Sequence, residues 1–360
     1  SRAMRLVTFV LPESPTSTRL GAMVGEAVVD LEIARRWAQG ARGLPAEDLP
    51  ATMIELIHAG RGAWDYTRRV LEALDGKDPT QLRGPRRSAV GYPRRQVYLY
   101  PPLPRPLVLR DFYAFEGHVR SAYQVRGRPV PEEWYEFPVF YYCNPNTVFG
   151  PEETVPHPGF TEALDYELEV ACVLGKAGRD LSADEAAGHI FGFCVMNDWS
   201  ARDVQQREMR AGLGPAKGKD FATSLGPWIA TPDELADRDA GRPGVYDLAM
   251  TASVNGAERS GGSMKDLHYS FGEMIARASQ DVYLLPGEVC GSGTVGGGCL
   301  LELTQGKGPW LRAGDVVELE IERLGVLRNR VGEKSGRGDQ ESGDRDRVAI
   351  GQPDPLNPGS

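Results

Sequence analysis

The sequence predicts an α+β protein with a largely β core: a small N-terminal α+β domain (residues 1–104), a larger domain (105–332) and a disordered tail (333–360). Three observations carry this reading. Several Val-rich apolar runs stand with few helical patterns between them, which favours α+β over a doubly wound sheet. The stretch YLYPPLPRPLVLRDFY (Tyr98–Tyr113) holds too much proline for regular interior structure and places the domain boundary near residue 104. Beyond about Val331 the chain becomes polar and glycine-rich, ending GQPDPLNPGS, a composition that cannot bury enough apolar surface to fold.

The elements follow in order. RLVTFVL (Arg5–Leu11) and AMVGEAVVDL (Ala22–Leu31) read as strands separated by the turn-forming PESPTSTRLG. ATMIELIHAG (Ala51–Gly60) reads as a helix ending on a capping glycine, and AWDYTRRVLEALDG places Tyr66, Val70, Leu71 and Leu74 on one helical face. In the larger domain, Ser182-Ala-Asp-Glu185 is a capping box and FGFCVMND (Phe191–Asp198) a strand. Asn255-Gly256 between alternating stretches predicts a hairpin, and Ser270-Phe-Gly-Glu273 starts another helix.

Composition excludes several classes. A formal net charge of -9 without a clustered basic surface argues against a nucleic-acid partner. The five cysteines have no CxxC spacing and are odd in number, so neither a zinc site nor a disulfide framework is indicated, and a reducing, cytoplasmic location is expected. The apolar run Leu6–Leu11 is too brief for a signal-peptide core or a membrane span.

LDYELEVACVLGK (Leu164–Lys176) is the most informative segment. It sets Asp165, Glu167 and Glu169 two apart and then continues apolar on both alternating faces, as a buried central strand does. On a strand the two glutamates share one face, with Cβ atoms roughly 7 Å apart. The same residues fit a solvated face or acids answered by arginines. Asp198 and Asp111 each follow an apolar run, and Asp198 also suits a helix N-cap. Convergence of these acids would make an oxygen-only site for Mg²⁺, Mn²⁺ or Ca²⁺, poorly suited to zinc. His118, seven residues after Asp111, is the natural general base beside such a site, or else a surface loop histidine. GPAKGKDF departs from the phosphate-loop spacing, and GxSxG, HExxH and GxGxxG are absent. GSGTVGGG (Gly291–Gly298) lets backbone approach a ligand closely or forms a flexible turn.

Taken together and in order, DFYAFEGH, DYELEVACVLGK, FCVMNDWSARDVQ, GKDF, SLGPW, PGEVCGSGT and LLEL resemble the fumarylacetoacetate hydrolase family, across Asp111 to Leu303. The resemblance implies a small β-rich N-terminal domain followed by a mixed β-sheet roll or barrel. It implies a metal held by Asp111, Glu167, Glu169 and Asp198, usually Mg²⁺ with Mn²⁺ or Ca²⁺ accepted, His118 as base with Glu302, and charge stabilisation by Lys219 and Arg202. Tyr113, Tyr142, Gln205 and Thr294 match substrate contacts, and a homodimer is implied. The implied reaction is metal-dependent cleavage of a carbon-carbon bond in a small anionic 1,3-dicarbonyl acid, fumarylacetoacetate to fumarate and acetoacetate in aromatic amino-acid breakdown. The alternatives are oxaloacetate decarboxylase, acylpyruvate hydrolase, or a 2-oxo-diacid hydratase or isomerase. A non-catalytic ligand-binding protein on the same scaffold is countered by retention of His118, Glu302 and Lys219. The sequence departs from the animal-type hydrolase at Met209, where a tyrosine is expected, and an arginine expected after the histidine falls on Arg126 or Arg128. Glu116 resembles the Glu and His pair of the decarboxylase and acylpyruvate-hydrolase branch. Asp165 is expected to lie outside the metal's ligands.

Overall fold

The structure, a computed structural model, describes residues 2–336. Its main body is a 12-stranded mixed sheet that runs through both expected domains. From one edge the order is Gly91–Pro93, Ala27–Asp30, Ser14–Val24, Arg5–Leu11, Thr223–Ala230, Ile190–Asp198, Leu168–Leu174, Val289–Gly291, Leu109–Phe112 and Phe140–Tyr142. The seam between the N-terminal unit and the rest is an antiparallel pairing, with Leu6 opposite Ile229. One apolar cluster also crosses it, joining Leu6, Leu56, Tyr66 and Val70 to Ala171, Val173, Phe191 and Ile229. Among the described residues both ends of the order are unpaired edges, so the sheet is open and the closed barrel admitted by the sequence reading is not formed. The N-terminal strands extend the sheet outward and do not curl back onto Phe140–Tyr142. A second, five-stranded sheet packs over the other face and contributes Met250, Val317, Leu319 and Leu327 to the larger core.

The segment Leu164–Lys176 breaks into Leu164–Asp165, paired with Ser200–Ala201, and the central strand Leu168–Leu174. In the central strand Val170, Cys172 and Leu174 face the larger core while Ala171 and Val173 face the cluster shared with the N-terminal unit. Burial on both faces explains the absence of polar alternation. Both capping boxes form, and Asn255 (φ 52) with Gly256 (φ 80) makes the hairpin turn. The single strand expected over 22–31 is instead the end of a hairpin that turns at Gly25, followed by the helix Leu31–Arg42 capped by Asp30. Glu333 and Lys334, assigned to the tail, close the last strand, Gly325–Lys334. The rest of the expected tail, from residue 337, lies outside the described residues. No described helix is long and apolar enough to cross a membrane.

Candidate functional site

Three strands bring four acids to one point. Asp111 lies in Leu109–Phe112 and Glu169 in Leu168–Leu174, while Asp198 ends Ile190–Asp198 and Glu167 immediately precedes the central strand. Ligand oxygens of all four carboxylates lie within 4.8 Å of one another, and all four residues are buried. The strand pairings set this geometry: Asp111 is the register partner of Gly291 and of Tyr141, and Leu168 that of Asn197. Gly291 has no room for a side chain, since a Cβ there would sit 2.6 Å from Asp111 Oδ1 and 3.0 Å from Glu169 Oε2. Gly293, at φ 81, turns its N–H onto both Asp111 Oδ1 and Glu169 Oε2 at 3.2 Å. In GSGTVGGG it is the backbone at Gly291 and Gly293 that closes on the cluster's carboxylates.

Cations hold part of this charge. Lys219 Nζ lies 2.9 Å from Glu167 Oε1 and 2.8 Å from Asp198 Oδ2, and Arg202 Nη1 lies 2.9 Å from Glu167 Oε1. Burial raises the pKa of Glu167, but Lys219 and Arg202 outweigh it and hold the carboxyl well below its usual range. Asp111 and Glu169 have no such partner. Burial, reinforced by Asp198 for Asp111 and by Asp111 for Glu169, pushes both well above the usual carboxylate range. Burial also raises Asp198, against the opposing pull of Lys219.

The donor set fits a hard divalent cation. Glu169 Oε1 and Asp198 Oδ1 are buried without a hydrogen-bond partner, a costly state for charged oxygens. At the site, among the described residues, five buried carboxylates, counting Asp165, meet two buried cations, Lys219 and Arg202. A divalent ion among these oxygens answers both facts, and the all-oxygen set suits Mg²⁺, Mn²⁺ or Ca²⁺.

Beside the cluster opens a cavity of about 340 Å³ lined by Asp111, Tyr113, His118, Glu167, Glu169, Arg202, Gln205, Lys219 and Thr294. His118 stands in the first turn of Glu116–Val125, and its Nδ1 lies 2.7 Å from Glu302 Oε2. Burial raises the Glu302 pKa, but His118, the Gly297 N–H and the Cys299 thiol more than offset this and keep it below its usual value. Glu302 is therefore ionised and accepts, which puts the proton on Nδ1 and leaves Nε2 as the basic nitrogen. Cys299 Sγ donates to the same Oε2 at 3.2 Å, and the Gly297 N–H donates to Oε1 at 3.0 Å.

The expected site residues are thus gathered, with one correction. Tyr142 is 66% exposed and lies over Arg110, away from the cavity. Its neighbour Tyr141 lines the cavity and donates to Asp111 Oδ2 at 3.2 Å and to Asp198 Oδ2. Alternation along Phe140–Tyr142 sends the two rings to opposite faces, and register with Asp111 selects Tyr141. Arg126 lines the cavity and Arg128 does not, and Met209 sits at its rim. The carboxylate paired with His118 is Glu302, not Glu116. Asp165 lies outside the cluster, bound to Arg202 Nε at 2.9 Å.

Residues 107–332 match the family described as fumarylacetoacetate (FAA) hydrolase C-terminal. The chain is 31% identical over 337 residues to the human protein named oxaloacetate tautomerase FAHD2A, mitochondrial, covering 92% of each chain. It is 28% identical over 351 residues to the fumarylacetoacetase of Arabidopsis thaliana, covering 81% of this chain and 82% of that protein. Among solved structures it resembles maleylpyruvate hydrolase from Sphingobium sp. SYK-6 in complex with manganese(II) and pyruvate, with a TM-score of 0.62, 23% identity, and coverage of 92% of this chain and 100% of that one.

Proposed function

This chain belongs to the fumarylacetoacetate hydrolase family, and within it we propose that the protein moves a proton at C3 of a short 2-oxo dicarboxylic acid, interconverting the keto and enol forms of oxaloacetate or a close analogue. The observation that carries this reading is the His118–Glu302 hydrogen bond at 2.7 Å, set in the same cavity as the four-carboxylate cluster. Asp111, Glu167, Glu169 and Asp198 would hold a divalent ion, Mg²⁺ first with Mn²⁺ or Ca²⁺ also suited, which supplies Lewis-acid polarisation of the substrate's oxygens. His118 Nε2 takes the C3 proton, Glu302 stabilises the imidazolium that results, and return of that proton to the C2 oxygen of the enolate gives the enol. Arg126, whose guanidinium lies over the Tyr123 ring at the cavity wall, binds the far carboxylate, with Gln205 and Thr294 as neutral donors. Arg202 and Lys219 already hold Glu167, so their charge steadies the cluster first and developing negative charge on the substrate second. The human relative's name supports tautomerisation as the reaction.

A second reading, hydrolysis of the carbon-carbon bond of a 1,3-dicarbonyl acid such as fumarylacetoacetate, is favoured by the same pair, because a histidine held at Nδ1 by a carboxylate is oriented to activate water. The five cysteines are free and buried, which supports a reducing, cytoplasmic setting; we take the working form to be a homodimer. The test is to incubate the Mg²⁺-loaded protein with oxaloacetate, an acylpyruvate and fumarylacetoacetate, following products by NMR. Faster keto–enol exchange of oxaloacetate without new products supports the first reading, cleavage products support the second, and no change with any of the three contradicts both.

A further inference from the structure

Asp165 is fully buried and stands apart from the four clustered carboxylates. Its two oxygens take three charged or polar donors from two different parts of the site. Oδ1 accepts the Leu300 N–H at 2.8 Å, and Oδ2 accepts the Leu301 N–H and Arg202 Nε, both at 2.9 Å. Leu300 and Leu301 begin Leu300–Leu303, the short helix that carries Glu302. Arg202 is the guanidinium whose Nη1 holds Glu167 Oε1 at 2.9 Å. From this geometry we infer that Asp165 is a positioning residue that fixes the His118–Glu302 pair against the carboxylate cluster, so that the base meets the substrate at the right distance. The inference rests on the function proposed above and adds a role for a residue outside both groups.

The physical need is specific. A helix of a single turn does not stabilise itself, and its first N–H groups require acceptors. Cys299, at the N-cap, supplies no side-chain hydrogen bond to them; Asp165 does so from across the chain, with a negative charge at the positive end of the turn. Had Asp165 served only to neutralise Arg202, one contact would suffice. Spending both oxygens on the Glu302 helix as well ties the two halves of the site through one rigid carboxylate.

The test is Asp165→Asn in the metal-loaded protein. The amide keeps the size but turns one acceptor into a donor facing N–H groups or the guanidinium. We expect kcat to fall by about 100-fold, the scale of a misplaced catalytic group. KM and the Kd for Mg²⁺ should stay within about 3-fold, and the low-field Nδ1 proton resonance of His118 should shift or broaden. In a Glu302→Gln background the same change should cost less than about 3-fold more, because residues acting through one group are not additive. If Asp165→Asn fails to fold, Leu300→Pro removes one of the accepted N–H groups and leaves Asp165 and Arg202 in place, at the cost of the buried Leu300 side chain: proline is tolerated at a first helical position, and the extended backbone of Cys299 (φ -152, ψ 160) suits the residue before it. It should lower kcat by about 10-fold with the same change at His118. Undiminished kcat, a parallel loss of metal affinity, or full additivity with Glu302→Gln would overturn the inference. The His118 resonance and the metal titration need no turnover. A shifted His118 resonance with unchanged Mg²⁺ affinity, in a protein that transforms no 2-oxo acid, sinks the functional reading and leaves this one standing, whereas turnover with an unmoved His118 does the reverse.

Discussion

Replacing Glu302 by glutamine tests the base directly. Glu302 uses both oxygens as acceptors: Oε1 for the Gly297 N–H at 3.0 Å, and Oε2 for His118 Nδ1 at 2.7 Å and the Cys299 thiol at 3.2 Å. Glutamine has one acceptor. If its oxygen faces His118, its NH₂ confronts the Gly297 N–H, donor against donor. If its NH₂ faces His118, Nδ1 must accept, the ring proton moves to Nε2, and the base is lost. Either orientation also removes the charge that stabilises the imidazolium. Loss of a positioned base costs about 10² to 10⁴ in rate, and a wrong tautomer sits at the upper end. We therefore expect kcat/KM to fall by about 10³, or roughly 4 kcal/mol of transition-state stabilisation. Mg²⁺ affinity, measured by calorimetry, should be unchanged, since Glu302 is not one of the four clustered carboxylates. A loss of activity smaller than about 3-fold, or a matching loss of metal affinity, would refute the assignment of Glu302 to the base.

The corrected tyrosine separates cleanly from its neighbour: Tyr141→Phe, which removes the hydroxyl on Asp111 and Asp198, should weaken Mg²⁺ binding or kcat by about 10-fold, whereas Tyr142→Phe should change neither by more than about 2-fold. Gly291→Ala should leave the fold intact by circular dichroism yet lower Mg²⁺ affinity at least about 10-fold, because the added methyl displaces Asp111 Oδ1. Burial holds the Asp111 and Glu169 carboxyls above their ordinary range, and a bound cation favours their ionised form, so Mg²⁺ affinity should weaken as pH falls, read by calorimetric titration over a pH series; an affinity independent of pH would contradict the shared burial. Glu302 is depressed in the folded state, so its stabilisation is complete above its unfolded pKa of about 4.3 and lost as pH falls through the folded value. The difference in melting temperature between wild type and Glu302→Gln should therefore shrink as pH falls below about 4.3; a difference that does not shrink would contradict the depressed carboxyl.

Much of this site is legible in the chain because its acids sit where apolar runs stop. Asp111 and Asp198 are marked by the apolar runs they follow, and Glu169 by the two-faced burial of Val170–Leu174 behind it. Local capping chemistry likewise identifies the helices after Ser182 and Ser270. What the sequence conceals is set by pairing between distant strands. Tyr141 rather than Tyr142 reaches the site because it stands opposite Asp111, a register no local pattern encodes. The continuous sheet depends on Leu6 meeting Ile229 across more than two hundred residues, and the proline-rich stretch near 104 hides that continuity. The turn at Gly25 lies inside an apolar run whose period does not change until Asp30 caps the next helix. Asp165 shares the spacing of Glu167 and Glu169, yet the break at Tyr166–Glu167 hands it to Arg202 and the Glu302 helix.

The most direct test is exchange of the C3 protons of oxaloacetate into deuterated water, followed by NMR with protein freed of metal, reloaded with Mg²⁺, and reloaded as His118→Ala. Exchange accelerated only by the reloaded wild type, and cut by at least about 100-fold in His118→Ala, is the predicted result; equal exchange with and without metal, or in His118→Ala, would contradict the account.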